Sequence, residues 1–434
     1  MIPKIKILLP IEISSRELLY KVYLSNHLAS LGFECYLGTK ANISWLIERS
    51  KGFIYFDKGF HKGVSESLYS KIKENNGIIV SLDEEGAIDF KDGSVLGVRY
   101  DLELFKVATV VFFWGTVQYE NSNFLGLGVS NRTISGHPRF QLLKKEYQFL
   151  YERETNVIRK KFGKFVLINT NMSFGNNIRG EQFVRRNYGN RFKNLAGIIE
   201  NDKRKMRHIV SLCKRFSQLN VKVILRPHPE ENVTYYDDNF IGIDNIVITK
   251  DYSAVSWILV SEQMIHIDCT TGVEALMLGR KSIAYVPEEL DKSLLTCLPL
   301  SLSYVISEES EVVEHCLRSE FAETKDSIFD DKILSQYFSF STDSFAVISA
   351  KLQDIRTMLL PGINTISRLS FFMRAFRMFT RNILLGKDEL VSQKQRGFDW
   401  KKISDLHLII KGSKKEFASN TCRRILDGLY VIRN

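Results

Sequence analysis

The feature that most constrains the fold is a regular alternation of short apolar runs with longer stretches whose apolar residues recur at helical spacing. Helical stretches at residues 16–31, 41–49 and 64–74 lie between the first four apolar runs. In the first third of the chain these runs fall at residues 4–13, 33–37, 52–56, 77–82, 107–114 and 132–135. Because strands that alternate with helices through short connections form helix-covered parallel sheets, the pattern predicts an α/β fold with a doubly wound sheet.

The same pattern restarts after a polar helical stretch at residues 141–161, which predicts a second α/β half. Its strands are expected at residues 165–170, 221–226, 246–248, 257–260, 264–267 and 282–286. Each half has the size of one Rossmann-like unit, so we predict domains at residues 1–140 and 141–345. We interpret His137-Pro138 as a turn in the connection between them. No strand is expected after Ser341, and residues 346–434 are predicted to form a helical tail.

Composition excludes several other classes of protein. The chain of 434 residues is 44% hydrophobic and 25% charged, which is typical of a globular protein and not of a disordered or fibrous one. It has no uninterrupted run of 18 apolar residues, so no membrane-spanning helix is expected, and we find no secretion signal. The six cysteines are scattered without a Cys-x-x-Cys pair, which favours a reducing cytoplasm and argues against a metal site.

The net charge of +10 is concentrated near the end of the sequence. Residues 363–434 contain 15 lysines and arginines against 6 acidic residues, whereas the rest of the chain has 45 against 44. Within residues 366–385, one helical stripe carries Phe372, Phe376, Phe379 and Ile383, and the opposite side carries Arg374, Arg377 and Arg381. Such a helix suits an anionic membrane surface, and it also suits packing on the body with the arginines in solvent. We expect no nucleic-acid partner.

Three consecutive acidic residues, Asp83, Glu84 and Glu85, follow a predicted strand at the edge where doubly wound sheets bind ligands. Mutual repulsion and partial burial can raise the pKa of one such carboxyl group toward the value that a general base needs. The cluster is therefore a candidate for catalysis. A solvated acidic turn after a strand would have the same sequence.

A second candidate motif, Arg226-Pro227-His228-Pro229-Glu230, also follows an apolar run. The two prolines stiffen the backbone on both sides of His228 and so hold its ring in a fixed direction. Arg226 and His228 together offer hydrogen-bond donors to a phosphate, with Glu230 beside them. The alternative is a turn that uses proline for its geometry alone.

Two further motifs follow strands in the second half. Thr270, Thr271 and Gly272 open a predicted helix, where hydroxyl and backbone N–H groups can hold a phosphate, and Glu274 in its first turn can reach a ribose. Simple helix capping by threonine explains this motif equally well. The other motif contains Asn169, Asn171 and Ser173 and is expected either to contact the donor or to cap a helix.

In this order, the motifs resemble those of bacterial GT-B sialyltransferases and β-Kdo transferases, which use CMP-activated ulosonic acids. The segments SLDEEG, SGHPRF, LINTN, RPHPEE and CTTGVEALMLGRKSIAY are also similar to a family of surface carbohydrate biosynthesis proteins. The resemblance covers roughly residues 1–345. It implies a GT-B fold, in which two Rossmann-like domains face each other across a cleft, here followed by the basic helical tail.

The resemblance also implies roles for individual residues. The base would be Glu84 or Glu85, and the CMP phosphate would contact His228, Thr270 and Thr271. This chain has three acidic residues where the family motif has two, so Asp83 also remains a candidate. It has threonines where serines are usual.

The implied activity is transfer of a keto-sugar acid from a CMP-sugar to a hydroxyl of a glycan or glycolipid acceptor, without metal or other cofactor. The implied location is cytoplasmic, on the inner face of the bacterial cytoplasmic membrane, where surface polysaccharides are assembled. Three alternatives stay open: a CDP-glycerol-type glycerophosphotransferase, a UDP-sugar epimerase of GT-B fold, and a non-catalytic scaffold of polysaccharide assembly.

Overall fold

The structure is a computed structural model that describes residues 4–85, 100–122, 131–189, 192–318, 327–359, 366–386 and 389–434. The chain divides into two compact units. Within the described ranges, unit 1 contains residues 4–85, 100–142 and 328–434, and unit 2 contains residues 143–327. Unit 1 is therefore built from both ends of the sequence.

Unit 1 is built on an eight-stranded sheet in the order β13-β14-β2-β1-β3-β4-β5-β6. The strands β1 to β6 are parallel. Their bounds are Lys6–Ile11, Glu34–Thr39, Phe53–Asp57, Ile78–Leu82, Val110–Phe113 and Arg132–Ile134. Strand β3 is buried along its whole length, which explains its nearly continuous apolar sequence FIYFD.

Helices cover this sheet and connect its strands. The first six are α1 (Ser14–Ser30), α2 (Lys40–Ile47), α3 (Ser65–Glu74), α4 (Leu102–Val107), α5 (Thr116–Asn121) and α6 (Pro138–Gln141). The later helices are α15 (Ser327–Phe338), α16 (Ser344–Arg356), α17 (Arg368–Leu385), α18 (Glu389–Lys394) and α19 (Trp400–Ser413), followed by a 3₁₀ turn at Lys415–Phe417. Helix α1 contacts α16, α19 and β14, so the late part of the chain packs directly on the first helix.

Unit 2 contains a six-stranded parallel sheet in the order β12-β11-β10-β7-β8-β9. Its strands are β7 (Val166–Asn169), β8 (Val223–Arg226), β9 (Ile246–Ile248), β10 (Gln263–His266), β11 (Ile283–Tyr285) and β12 (Tyr304–Ile306). Counted from β7, this is the Rossmann order 3-2-1-4-5-6 read from the other edge. The predicted α/β fold with two Rossmann-like sheets is therefore confirmed.

The helices of unit 2 lie between these strands. They are α7 (Glu152–Phe162), α8 (Glu181–Tyr188), α9 (Leu195–Gln218), α10 (Thr234–Asn239), α11 (Ala254–Val260), α12 (Thr271–Met277), α13 (Cys297–Ser301) and α14 (Glu309–Leu317), with 3₁₀ turns at Lys145–Tyr151 and Lys292–Leu294. Helix α9 begins after Asn194, whose side chain accepts a hydrogen bond from the Gly197 N–H. Its residues Ile209 and Phe216, two turns apart, pack into the buried core.

Strands do occur after Ser341, so that prediction is wrong. Strands β13 (Thr421–Leu426) and β14 (Leu429–Arg433) form an antiparallel hairpin, and β14 pairs with β2. The turn is Asp427-Gly428, with Gly428 at φ +64°, a conformation that glycine adopts without strain. Residues of β13 are largely exposed, so the segment lacks the apolar run that signals a buried strand.

The strand expected at residues 257–260 is also a correction, because Ala254–Val260 forms helix α11. Ser253 caps this helix by accepting a hydrogen bond from the Ser256 N–H at 3.1 Å. A short apolar run cannot be assigned to strand or helix by periodicity, and here the cap decides the outcome. None of the helices in the described part of the chain is long and apolar enough to span a bilayer.

Candidate functional site

The candidate site lies at the carboxyl edge of the unit 2 sheet. Strands β7 and β10 are neighbours there, although β8 and β9 lie between them along the chain. This is the point at which the strand order reverses, and open α/β sheets bind ligands at such points. The segments that leave β7, β8 and β10 carry the residues predicted to contact a nucleotide.

Asn169 ends β7 and pairs in register with Arg226, which ends β8. The residue is 3% exposed, and neither Oδ1 nor Nδ2 of its side chain has a hydrogen-bond partner among the described residues. A buried polar group without a partner costs about 1–3 kcal/mol of stability. The amide of Asn169 therefore presents both a donor and an acceptor at this edge that no described residue uses.

Arg226 provides the positive charge of the site. Its Nη2 atom donates to the carbonyl oxygens of Tyr252 at 3.0 Å and Asp251 at 3.4 Å, while its buried Nε has no partner in the described chain. Burial lowers the pKa of Arg226 to about 10, against the opposing fields of Glu154 and Glu274. The guanidinium therefore stays charged at neutral pH, and its hydrogen bonds to other described residues go to carbonyl groups.

The loop after β8 holds His228 in a defined orientation. Its Nδ1 atom accepts a hydrogen bond from the Glu230 N–H at 3.2 Å. In the neutral ring the proton must then be on Nε2, which becomes a donor. The carbonyl of Glu230 accepts from the Ile178 N–H at 2.9 Å, so this loop is tied to the loop that follows β7.

Glu231, which the sequence analysis did not select, connects these two loops. It is fully buried, and its carboxylate accepts four hydrogen bonds. Oε1 accepts from Thr170 Oγ1 at 2.7 Å, Met172 N at 2.9 Å and His228 N at 3.1 Å; Oε2 accepts from Tyr236 Oη at 2.6 Å. Sequence alone does not distinguish Glu231 from Glu230, because the difference lies in which of them points into the protein.

A buried ion pair supports the loop after β10. Lys205 Nζ lies 3.0 Å from Asp268 Oδ1 and 3.4 Å from Asp202 Oδ1. Burial raises the pKa of Asp202 to about 6, and that carboxylate accepts from the Phe174 and Gly175 N–H groups, both at 3.1 Å. Asp202, which shares Lys205 with Asp268, therefore anchors the loop after β7.

The threonine motif follows β10 as predicted. Thr270 is half-buried at the start of α12, and the Thr271 hydroxyl donates to the sulfur of Cys269 at 3.2 Å. Packing explains why residue 272 is a glycine, since a Cβ at this position would lie only 2.4 Å from Nε2 of His266. The half-buried Glu274 acts electrostatically on Arg226, which places it at the same edge of the sheet.

The remaining predicted contacts belong to the loop after β7. Asn171 donates from Nδ2 to the carbonyl of Asp268 at 3.3 Å, while its buried Oδ1 has no partner in the described part of the chain. The carbonyl of Ser173 accepts from Asn177 at 3.1 Å, so Ser173 shapes the loop through its backbone. Asn171 therefore adds a second unpaired buried oxygen near Asn169.

The acidic cluster lies in unit 1 at the end of β4. Glu84 is buried, with Nζ of Lys21 at 3.2 Å, the Tyr20 hydroxyl as a donor, and Nε2 of His137 at 3.5 Å. Burial alone would raise the pKa of Glu84, but Lys21 and His137 outweigh it and hold that pKa well below its usual range. The expectation that the cluster raises a carboxyl pKa is therefore wrong for Glu84.

His137 is not only a turn residue between the halves, as we interpreted it from the sequence. Its Nδ1 atom accepts from the Arg139 N–H at 3.0 Å, which caps the short helix α6, and its ring is buried between Tyr20 and Trp114. Burial lowers the pKa of His137 to about 4. The ring is therefore neutral at physiological pH, with its proton on the nitrogen that faces Glu84.

Asp83 and Glu85 differ in their access to solvent. Asp83 is buried, and its Oδ1 accepts from the Glu85 N–H at 2.7 Å. The Glu85 side chain is 33% exposed and lies 3.0 Å from Nη1 of Arg16. Of the three acidic residues, Glu85 is the one whose carboxylate reaches the surface of unit 1.

The structure thus brings Asn169, Asn171, Arg226, Thr270 and Glu274 to one sheet edge in unit 2, as their positions after strands predicted. The acidic residues form a separate group in unit 1. Among the residues that the structure describes, no group of three or more His, Cys, Asp or Glu side chains is arranged to hold a metal ion.

Comparison with known proteins shows only distant similarity. No family model matches the chain, and no curated protein matches it significantly. The UDP-GlcNAc 2-epimerase of Methanocaldococcus jannaschii superposes with a TM-score of 0.48 at 10% identity, covering 81% of this chain and 99% of the epimerase. The wall teichoic acid polymerase TagF gives 0.48 at 11% identity, covering 82% and 89%.

A putative UDP-N-acetylglucosamine 2-epimerase from Listeria monocytogenes gives a TM-score of 0.47 at 13% identity, covering 84% of this chain and all of the other. These values describe a remote likeness. They carry no conclusion about the substrate or the reaction of this chain.

Proposed function

We propose that this chain is a transferase that uses a nucleotide-activated sugar and binds the donor phosphate at the carboxyl edge of the unit 2 sheet. One observation carries the proposal. At the point where the strand order reverses, the cation of Arg226 bonds only to carbonyl groups, and beside it the buried amide of Asn169 has no partner in the described chain. An anionic ligand with further polar atoms would satisfy both groups.

The charge at this edge favours a donor with a single phosphate. Lys205 is already paired with the carboxylate of Asp268, so we assign the ligand charge to Arg226, which ends β8 at this edge. One guanidinium matches the single negative charge of a phosphodiester, as in a CMP-linked sugar. The amide of Asn169 and the hydroxyl of Thr270 are then available to the sugar, including the carboxylate of a keto-sugar acid.

The proposed reaction forms a bond between an acceptor hydroxyl oxygen and the anomeric carbon of the donor sugar. The bond from that carbon to the phosphate oxygen breaks, and CMP leaves with the electron pair. Arg226 and the Nε2–H of His228 hold the charge that develops on the phosphate. The proton of the acceptor hydroxyl goes to a carboxylate, and we assign this role to Glu85 because its side chain is the partly exposed one of the three.

Calorimetric titration of the full chain with CMP, CDP and UDP tests the proposal. We expect CMP to bind, and Arg226→Gln to weaken binding about 10–100-fold, since a hydrogen bond to a charged group contributes about 1.5–3 kcal/mol. Arg204→Gln is the matched control, because Arg204 is an exposed residue of the same unit whose Nη1 donates to the Glu289 carbonyl at 3.3 Å.

Each other outcome has a definite meaning. Tighter binding of CDP would favour a glycerophosphotransferase, and tighter binding of UDP would favour a UDP-sugar enzyme such as an epimerase. Binding of no nucleotide would contradict the transferase and leave the non-catalytic scaffold. The acceptor in our proposal is a glycan or glycolipid of the bacterial surface, and the proposed place of reaction is the cytoplasmic face of the membrane.

A further inference from the structure

Helix α17 carries a concentration of exposed apolar side chains on unit 1. Its apolar residues with 44% to 80% exposure are Leu369, Phe372, Met373, Phe376, Phe379, Ile383 and Leu384. Single exposed apolar residues are normal on protein surfaces, but a contiguous apolar face on one helix usually marks an interaction surface. We call these seven residues the exposed stripe.

The helix is attached to unit 1 by a different face. Phe371 contacts Trp45 with a ring separation of 5.3 Å, and Met378 packs on the same hydrophobic core. Arg374 donates from Nε to Asn42 Oδ1 at 3.2 Å and from Nη2 to the Ala41 carbonyl at 3.0 Å. The exposed stripe is therefore not needed to hold the helix in place.

This arrangement excludes one of the two interpretations of the sequence. Packing of the phenylalanine stripe on the body is wrong, because Phe372, Phe376 and Phe379 are each more than half exposed. Arg374, which the sequence analysis placed with the solvent-facing arginines, instead anchors the helix. Arg377 and Arg381 are exposed, as expected.

The surroundings of the stripe are basic. Arg368, Arg377 and Arg381 are exposed on the same helix, and the segment from Arg368 to Leu385 contains no acidic residue. Strand β13, which contacts this helix, adds the exposed residues Arg423 and Arg424. Positive charge beside exposed aromatic side chains complements a surface that is negatively charged at its face and apolar beneath.

We propose that helix α17 lies flat on an anionic phospholipid surface, with the phenylalanines of the exposed stripe among the acyl chains and the arginines at the level of the phosphates. The helix has 18 residues, and no described helix is apolar enough to span a bilayer, which agrees with a helix in the membrane plane. The proposal does not depend on the nucleotide site in unit 2.

Cosedimentation of the full chain with vesicles tests this proposal. We expect binding to vesicles of phosphatidylcholine and phosphatidylglycerol in equal parts, much weaker binding to phosphatidylcholine alone, and weakening as salt screens the arginines. Replacing Phe376 and Phe379 together by serine should reduce binding at least tenfold. The control replaces two exposed apolar residues outside the stripe, Ile241 and Leu408, by serine and should bind as the unchanged chain does.

Charge reversal separates the electrostatic contribution. Arg377→Glu with Arg381→Glu should also reduce binding at least tenfold, whereas Arg204→Glu with Arg207→Glu, on the exposed surface of α9, should not. Both phenylalanine and arginine variants should keep the melting temperature of the unchanged chain, because the replaced side chains are exposed.

Several results would overturn the proposal. Vesicle binding that stays unchanged in the phenylalanine or arginine variants would contradict it. Equal binding to neutral and anionic vesicles would contradict it as well. A melting temperature lowered by the serine variant would show that the stripe packs within the fold. A dimer in lipid-free buffer that the same variant dissociates would show that a second copy covers it.

Discussion

The Nε2 atom of His137 lies 3.5 Å from Oε2 of Glu84, and both side chains are buried at the carboxyl edge of the unit 1 sheet. The ring is neutral and the carboxylate is ionised, because burial lowers the pKa of His137 to about 4 while Lys21 and His137 lower that of Glu84. This pair fixes the loops after β4 and β6. An enclosed carboxylate that already accepts from Tyr20 and forms an ion pair with Lys21 is poorly suited to take a proton from an acceptor.

We therefore predict different consequences for neighbouring acidic residues. Glu85→Gln should abolish sugar transfer while nucleotide affinity and stability stay unchanged, because Glu85 is partly exposed and lies in unit 1. Glu84→Gln should lower the unfolding free energy by about 1–3 kcal/mol, since it removes one of the two carboxylates that pair with the buried Lys21 and leaves Glu17 at 2.8 Å. Turnover, calorimetry and denaturant unfolding of both variants check this. Full turnover in Glu85→Gln would exclude it as the base.

Asn169→Leu should increase stability and reduce nucleotide binding. Leucine has a similar size and removes a buried amide that has no partner in the described chain, so we expect a gain of about 1–3 kcal/mol in unfolding free energy. The matched control is Asn201→Leu, because the buried amide of Asn201 bonds to both backbone groups of Asp291 at 2.9 and 3.2 Å. That variant should lose stability. Two variants that change stability in the same direction would contradict the assignment of Asn169 to a ligand.

Glu231→Gln should weaken both the fold of unit 2 and its nucleotide site. The carboxylate of Glu231 accepts hydrogen bonds from Thr170, Met172, His228 and Tyr236. In glutamine an NH₂ group replaces one of the two oxygens, and this group can only donate. We expect a loss of about 2–4 kcal/mol, from hydrogen bonds to a charged group that contribute about 1.5–3 kcal/mol each. Tyr236→Phe removes one of the four and should have a smaller effect. Equal stability of all three proteins in denaturant would refute the role of Glu231.

Acid should destabilise the protein over the pH range in which histidines of the unfolded chain gain a proton and the buried ones do not. Burial lowers the pKa values of His137, His266 and His407 to about 4, below the value of a histidine in an unfolded chain. Their neutral forms favour the folded state, so stability is complete above about pH 6.5 and declines as the pH falls toward 4. Asp202, with its pKa raised to about 6, acts in the opposite direction over the same range.

The net expectation is a fall in unfolding free energy between pH 7 and pH 4.5, because three histidines oppose that aspartate. Denaturant unfolding at several pH values measures it. In the unchanged chain the ring of His266 is fully buried beside Ser282 and Ser303. His266→Gln should make the decline in stability less steep, because glutamine does not titrate. A stability that is constant over this interval would contradict the buried neutral state of these histidines.

The sequence was informative where the physical signal is local. Apolar runs such as residues 165–170 and 221–226 predicted β7 and β8, and polar residues that follow strands in a parallel sheet necessarily meet at one edge. For this reason Asn169 and Arg226 could be selected as candidates without coordinates. Two features could not be predicted, because they depend on how the side chains pack: the pairing of the two residues in register, and the lack of described partners for the Asn169 amide and for Nε of Arg226.

Long-range contacts account for most of what was missed. Nothing near His137 in the sequence indicates Glu84, which is 53 residues earlier and follows a different strand. The Asp427-Gly428 hairpin has a recognisable turn signal, but its exposed strand β13 lacks the apolar alternation that we used to find strands. The burial of Glu231 beside the partly exposed Glu230 likewise depends on the meeting of two loops.

The hairpin of β13 and β14 has a consequence for the order of events during synthesis. The described part of unit 2 lies within residues 143–327 and can begin to fold once residue 327 has left the ribosome. Strand β14, whose residues Leu429, Tyr430 and Ile432 are fully buried beside β2, is translated about a hundred residues later. Until then β2 is an unpaired sheet edge and helix α1 lacks part of its covering. Nascent chains paused before residue 421 should therefore depend on chaperones in a way that finished chains do not.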